Sequence, residues 1–555
     1  MQARIVAGGW MLNLDIITGP VRGQRLLEDY FSGAPTLAGF FSGSPWDPEA
    51  YRRKALEVGA RFDEARRARI VAAMRPVGEG SAEKLQAIVR QGGFFVTTGQ
   101  QTGLFSGPLY TIYKALSAVR LAAAVQEELG KPVMALFWVA STDHDFDEVS
   151  HVELLDAENT LHRLELPSDP AAPPLSMSRR LLGQGVESTL DQLAQLLPQS
   201  EFAPPLLELA RSAYRPDATV AQAFTDMMAG LLAPFQLAIV DPSHPEMKRL
   251  AAPVMADELA RAAENEAALE RQSGRLLEAG YHVQVSVGGG AVNVSYEDES
   301  GRERLVREDG SFLLRRTKRR LGREEVLQLL ETEPERFSPN VLLRPVVETA
   351  LFPTVAYVAG PAELSYFAQT GCLFKAHGLD MPLVYPRAAA TLVERKVAKV
   401  VEKLGLTLED FRQPARELAA RVVREDMPAE VAEAVSRLRT SLNEGYDALA
   451  GAAAALDPTL KGPLTAARNA SHVALREAEK KILGHVKARN ATVVEQIEKA
   501  AMNLFPNGTP QERVLNVLQY LARYGPELLP AIAEALPVSL GAAAPAWRGV
   551  ECVAG

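Results

Sequence analysis

The sequence predicts an α/β protein: a Rossmann-like parallel sheet core with inserted segments, followed by a C-terminal antiparallel α-helical coiled coil. Three observations carry this reading. Apolar runs of strand length occur at 94–98, 133–140, 236–240, 354–359 and 381–385. Each closes on Gly, Pro, Ser or Asp and leads towards a helical pattern, the rhythm of a doubly wound sheet. After Pro386 the texture changes to a seam through Val431, Val435, Leu438, Leu442, Leu449 and Leu456. The seam breaks at DPTLKGPL (457–464) and returns through Leu475, Ile482, Val486, Val493, Ile497 and Leu504, which predicts two antiparallel helices. Finally, 555 residues exceed one compact core.

The first βα unit is the clearest. GGFFVTTG precedes PLYTIYKALSAVRLAAAVQEEL, where Tyr110, Tyr113, Leu116, Ala118 and Leu121 recur at roughly helical spacing. The chain is too long for single crossover helices between the second and third strands and between the third and fourth. The first excess, about 160–230, reads as helical. The second, about 281–340, reads as a small antiparallel β insert: VQVSV, AVNVSY and FLLRR are separated by GGG and EDESG. The expected domains are therefore 1–387 and 388–555.

Composition narrows the function classes. Hydrophobic residues at 47% and charged residues at 23% are globular values. A formal net charge of −9 argues against nucleic acid as a partner. The basic run RRTKRRLGR (315–323) lacks interleaved aromatics and reads as a solvated face. No run of roughly 20 apolar residues predicts a membrane span. The first twenty residues carry Asp15 and no small-residue cleavage pattern, unlike a signal peptide. Cys372 and Cys552 alone fit a reducing cytosol, both free and neither the nucleophile.

Candidate chemistry gathers at strand ends. In TTGQQTGLFSGP (97–108), Gly99, Gly103 and Gly107 would let the backbone approach a ligand, and Gln100 and Gln101 supply amide donors and acceptors. Ser106 or Gly107 would cap the following helix, with Pro108 in its first turn. The alternative is an ordinary Gly-rich turn; neither a Walker A loop nor GxGxxG is present. STDHDFDEVSH (141–151) crowds Asp143, His144 and Asp145 at the end of the second strand. A His between carboxylates suits acid–base work, with an acidic solvated loop as the alternative and no permanent metal site expected. Arg344 is either a clamp for a carboxylate or phosphate or the partner of Glu348. Glu363 and Tyr366 follow the fourth strand, and Arg387 the fifth. Near the C-terminus, Thr509 and Glu512 form a capping-box pattern, and Asn507, Gln511 and Arg513 are candidates for nucleotide binding.

Taken together, TGQQTGLFSGPLYTIYKA, FWVASTDHDFDEVSH, RPVVETALFPTVAYVAGPAELSYFAQ, MPLVYPR and LFPNGTPQERVLN resemble the bacillithiol-biosynthesis cysteine-adding enzyme family over nearly the whole chain. The resemblance implies a homodimer that joins L-cysteine to the amine of glucosaminyl-malate; an amide from a free carboxylate needs an activated acyl group, for which ATP is the natural co-substrate, and the cysteine usage places the protein in the cytoplasm. The core is also similar to class I amino-acid-activating enzymes, with GQQTG standing where their HxGH would be and no KMSKS. Rival readings are a nucleotidyl- or glycosyl-transferase using the same sheet edge and a non-catalytic coiled-coil scaffold.

Overall fold

The computed structural model describes residues 6–7, 10–11, 13–20, 24–425 and 428–541, so Cys552 lies outside the described residues. They fall into two compact units, one running to Leu392 and resuming at Glu512, the other Val393–Gln511.

The first unit is built on six strands: β1 (Arg75–Val77), β2 (Phe94–Gln100), β3 (Val133–Val139), β4 (Leu237–Val240), β5 (Thr354–Ala359) and β6 (Leu383–Pro386). Their order is β6–β5–β2–β3–β4–β1. The five strands expected from the sequence are mutually parallel. The sixth, β1, pairs antiparallel with the edge of β4. It is three residues long with a central Pro, tolerated at an edge and too short to carry a period. From β2 the chain runs through α1 (Leu109–Leu129) to β3 and onward, then returns to lay β5 on the other side of β2. The β2–β5 junction is therefore the switch point, where an open α/β sheet leaves a crevice at its carboxyl edge. β5 leads into α2 (Pro361–Ala376). Helix α1 is buried around its circumference, Thr111, Lys114 and Ser117 included, which explains its weak amphipathic period.

The insert between β3 and β4 opens with an antiparallel hairpin, His151–Leu155 with Leu161–Glu165, which the helical reading did not anticipate. Helices Gly185–Leu196, Ala203–Ala213 and Val220–Leu231 follow. The second insert contains a five-stranded antiparallel sheet: Ala291–Asp298, Gly301–Glu308, Ser311–Leu314, Arg319–Gly322 and Phe337–Pro339. VQVSV, expected as its first strand, is not one. The Gln369 side chain takes the backbone of Val285, accepting its N–H at 3.2 Å and donating to its carbonyl at 2.7 Å, so no ladder forms there. The basic run lies on this sheet as a solvated face, with Arg319 3.5 Å from Asp298 and Arg320 paired with Glu308.

The chain from Glu512 onward, grouped by pattern with the C-terminal helices, belongs to the first unit instead. Leu515 accepts the Leu109 N–H at 2.9 Å, and Asn516 donates to the Glu153 carbonyl at 3.0 Å.

The second unit contains the expected hairpin, α3 (Ala429–Leu456) and α4 (Lys461–Arg489), turning where Asp457 accepts the Thr459 N–H at 2.9 Å. Polar contacts cross it: Arg468–Asp447 at 2.9 Å, Tyr446–Ser471 at 2.8 Å and Arg439–Glu479. No residue of α3 is buried. The seam continues past Asn490 as a separate helix, Ala491–Leu504. No helix among the described residues is long and apolar enough to cross a membrane.

Candidate active site

A cavity of about 530 Å³ occupies the carboxyl edge of the sheet at the switch point. Four of the strands contribute to its wall at their carboxyl ends: Gly99, Gln100 and Gln101 at the end of β2, Thr142 and Asp143 after β3, Glu363 and Tyr366 after β5, and Arg387 after β6. The β insert adds Arg302 and Asn340, and α1 adds Tyr110 and Lys114.

The floor is an ion-pair network around Lys114, which is 2% exposed. Its ammonium lies 2.6 Å from the Glu363 carboxylate and donates to the Gly99 carbonyl and, at 3.2 Å, to Gln100 Oε1. That fixes the Gln100 amide, whose Nε2 donates to Tyr110 at 3.0 Å. Burial lowers the Lys114 pKa against the opposing pull of Glu363. Glu363 also accepts from Tyr357 and the Gly360 N–H, each at 2.6 Å. Burial pushes its carboxyl up, but Lys114 and Arg344 outweigh burial and hold it below the usual carboxylate range. Arg344 donates to Glu348 at 2.5 Å, Tyr366 at 2.7 Å and Tyr357 at 3.1 Å. It is thus both the internal partner of Glu348 and part of the wall, with Glu348 buried behind it.

On the opposite side Gln101 spends both amide hydrogens on carboxylates, Asp143 at 2.9 Å and Glu148 at 2.8 Å. Burial raises the Asp143 pKa, yet hydrogen bonds from His144 and Gln101 and the charge of Arg302 hold it well below the carboxylate range. His144 is outside the cavity wall. Its Nδ1 is 3.2 Å from Arg302 and 3.6 Å from Asp143. Arginine can only donate, so in the contact with Arg302 it is Nδ1 that accepts. Asp145, expected as the second flanking carboxylate, is exposed and caps Phe146–Val149 by accepting the Glu148 N–H at 3.4 Å.

Family models match most of the chain: the N-terminal Rossmann-like domain of bacillithiol biosynthesis BshC over residues 12–388 and its C-terminal coiled-coil domain over 390–541. A Salinibacter ruber protein named "Putative cysteine ligase BshC" is 35% identical over 92% of this chain and 94% of its own. Proteins of the same name from Chlorobaculum tepidum and Koribacter versatilis are 31% and 33% identical, over 90% and 92% of this chain and 88% and 95% of theirs. The chain belongs to the bacillithiol biosynthesis BshC family.

In this BshC-family chain the Gly-rich loop is largely internal structure rather than a cradle. Gly103 and Gly107 pack against each other, so a Cβ on Gly103 would meet the Gly107 Cα at 2.9 Å. Asn516 donates to the carbonyls of Phe105 and Gly107 at 2.9 and 2.7 Å, and Tyr214 accepts the Phe105 N–H at 2.6 Å. Ser106 is fully buried at φ +81°, a conformation held by those contacts, and lies off the cavity wall. Pro108, rather than Ser106 or Gly107, is the N-cap of α1, with no side-chain cap, and the first N–H of the helix is taken by the Leu515 carbonyl.

Arg387, 1% exposed, forms a bidentate pair with Glu512 at 2.6 and 3.0 Å. That pairing replaces the expected capping box with Thr509. In the second unit Asn507 sits in a turn at φ +52°, and Gln511 is buried, donating to the Asn503 carbonyl at 2.8 Å. Arg513, in the first unit, is exposed on the cavity wall. Cys372 has no disulfide partner, and burial pushes its thiol up to about 11, so it is protonated at neutral pH. Among the described residues no three His, Cys, Asp or Glu side chains converge as metal ligands would.

Sequence reasoning missed Lys114, Tyr110, Tyr357, Arg302 and Asn340. Lys114 had a signal: it is the one charge in the apolar stretch YTIYKALSAV. Arg302 had none, being one of several charges in EDESGRER.

Proposed function

We propose that the chain is a cytosolic cysteine ligase that joins the carboxyl of L-cysteine to the amine of glucosaminyl-malate, the last step of bacillithiol biosynthesis, with ATP as co-substrate. The observation that carries this is a cavity of two signs at the switch point. Asp143 and Glu148, bridged by Gln101, form an acceptor cluster for an amine, while Arg302 and Arg344 suit the carboxylates of a malate group. A volume of 530 Å³ lies in the usual range for small-molecule sites. The relatives' name, cysteine ligase, supports cysteine as a substrate.

The amine arrives as an ammonium against Asp143 and Glu148 and must lose a proton to attack. Glu148, exposed at the edge of the cluster, receives that proton; Asp143, tied by three hydrogen bonds, stays ionised and holds the nitrogen in place. With the cysteine carboxyl activated as its acyl phosphate or acyl adenylate, the amine attacks the carboxyl carbon, phosphate or AMP leaves with the carboxyl oxygen, and the amide forms. Lys114 keeps the Gly99 carbonyl and the Gln100 amide fixed in the floor beneath. Homodimerisation through the exposed hairpin of α3 and α4 completes the proposal.

Purified protein given L-cysteine, glucosaminyl-malate and ATP should yield the condensed thiol, heavier than the amine by cysteine less water, together with AMP or ADP in equal amount. Mass spectrometry and nucleotide chromatography read both. Nucleotide-sugar turnover without cysteine would replace this reading with a transferase, and no turnover with any donor would end it.

A further inference from the structure

A second, smaller chamber of about 220 Å³ adjoins the main cavity. The two share Gln100, Gln101, Tyr110, Glu148 and Arg513 as a partition. Its volume falls below the roughly 300–1,000 Å³ typical for drug-sized ligands, which favours a guest of amino-acid size. The lining is polar and two-signed. His151 and Glu153 stand two apart on one strand and so share its face, and both line the chamber. The His151 Nδ1 lies 3.1 Å from the Asp147 carbonyl, which can only accept, so Nδ1 donates and Nε2 is left for the chamber. Thr111, on the chamber wall at 1% exposure, has a buried hydroxyl without a hydrogen-bond partner among the described residues. An unsatisfied buried hydroxyl costs stability and is an invitation to a ligand donor or acceptor.

We propose that this chamber seats the amino-acid substrate as a zwitterion, its ammonium against Glu153 and its carboxylate at Arg513 on the partition. The inference rests on the cysteine-ligase reading and adds to it where the cysteine binds. The orientation follows from which groups are shared. Arg513 borders both spaces, so a carboxylate held there faces the amine in the main cavity. Glu153 borders only the small one and keeps the ammonium away from the reaction. The thiol is left to the Thr111 hydroxyl and to Val149 and Val152.

Calorimetry on the full-length protein tests this with L-cysteine, with cysteamine, which lacks the carboxylate, and with 3-mercaptopropionate, which lacks the ammonium. Wild type should bind L-cysteine at least tenfold more tightly than either fragment, since each loses one charge-assisted contact. Glu153→Gln and Arg513→Gln should each weaken L-cysteine about tenfold or more, with melting temperatures unchanged because both side chains are solvent-accessible. In turnover, Glu153→Gln should raise KM for cysteine and leave KM for the sugar amine as it was. Arg302→Gln, in the main cavity only, should leave L-cysteine affinity at the wild-type value. If L-cysteine binds wild type and both chamber variants equally, the chamber is not its seat, while the ligase reading stands. If L-cysteine binds wild type neither alone nor with ATP, both fall.

Discussion

At the scale of single residues, chemical type was legible and partnership was not. The segment at 141–151 was singled out because it crowds titratable groups, and it does supply Asp143 and Glu148 to the cavity. What adjacency in sequence could not say is where each side chain points. Asp145 is consumed in capping a four-residue helix, and His144 turns its Nδ1 towards Arg302, a residue 158 positions away. This changes what His144→Ala should do. A general base would cost 10²–10⁴-fold in kcat. An imidazole whose lone pair is turned to a guanidinium instead steadies Arg302, so we expect kcat to stay within about tenfold and KM for the malate-bearing substrate to rise. Steady-state kinetics with both substrates varied separates the two, and a 10²-fold loss of kcat at unchanged KM would restore the base. Lys114 teaches the converse lesson. A lone cation inside an apolar helix is expensive to bury unless paired, so its place in the sequence already demanded a carboxylate that only the fold identifies as Glu363.

At the scale of elements, long buried strands were readable and short or polar ones were not. The run of seven buried residues in β3 has no other plausible fate than the centre of a parallel sheet. The edge strand β1 and the hairpin at 151–165 depend on neighbours for their conformation, and a three-residue strand with a central Pro leaves no periodic trace. The heptad seam was legible, and the hairpin is present, but burial within it is slight. Leu438 and Leu449 are each 50% exposed and Leu456 85%, and α3 has no buried residue. Helices of this length gain most of their stability from a packed apolar face, which α3 does not find within its own unit. A second copy supplying that face is the proposed dimer. Leu442→Asp together with Ile482→Asp places charges in the seam and should give a monomer by sedimentation, with reduced helicity confined to the tail. An unchanged sedimentation coefficient and helix content in that double variant would remove the hairpin from the interface.

At the scale of the whole molecule, fold class was legible because it depends on the alternation of strands and helices, which is local. Closure was not, because it joins segments far apart in the chain. Arg387 leaves the last sheet strand and meets Glu512, 125 residues later, in a bidentate pair with both partners nearly buried. The same returning segment occupies the first N–H of α1 through Leu515 and braces the Gly-rich loop through Asn516. Removing one member of a buried ion pair typically costs about 3–5 kcal/mol, a large share of the roughly 5–15 kcal/mol that holds a protein folded. A chain ending at Leu392 would lose Glu512 and these backbone partners together. It is therefore expected to aggregate or to melt without cooperativity, although it contains every strand of the sheet. Replacing Val393–Gln511 by a flexible Gly/Ser linker, so that Glu512 onward is kept, should restore a cooperative transition. Adding Glu512→Gln to the linked chain should then lower its melting temperature again by removing the charge while nearly preserving the shape. Differential scanning calorimetry on the three chains gives the answer directly. If the chain ending at Leu392 melts as a cooperative unit at the temperature of the linked one, the returning segment is not what closes the core.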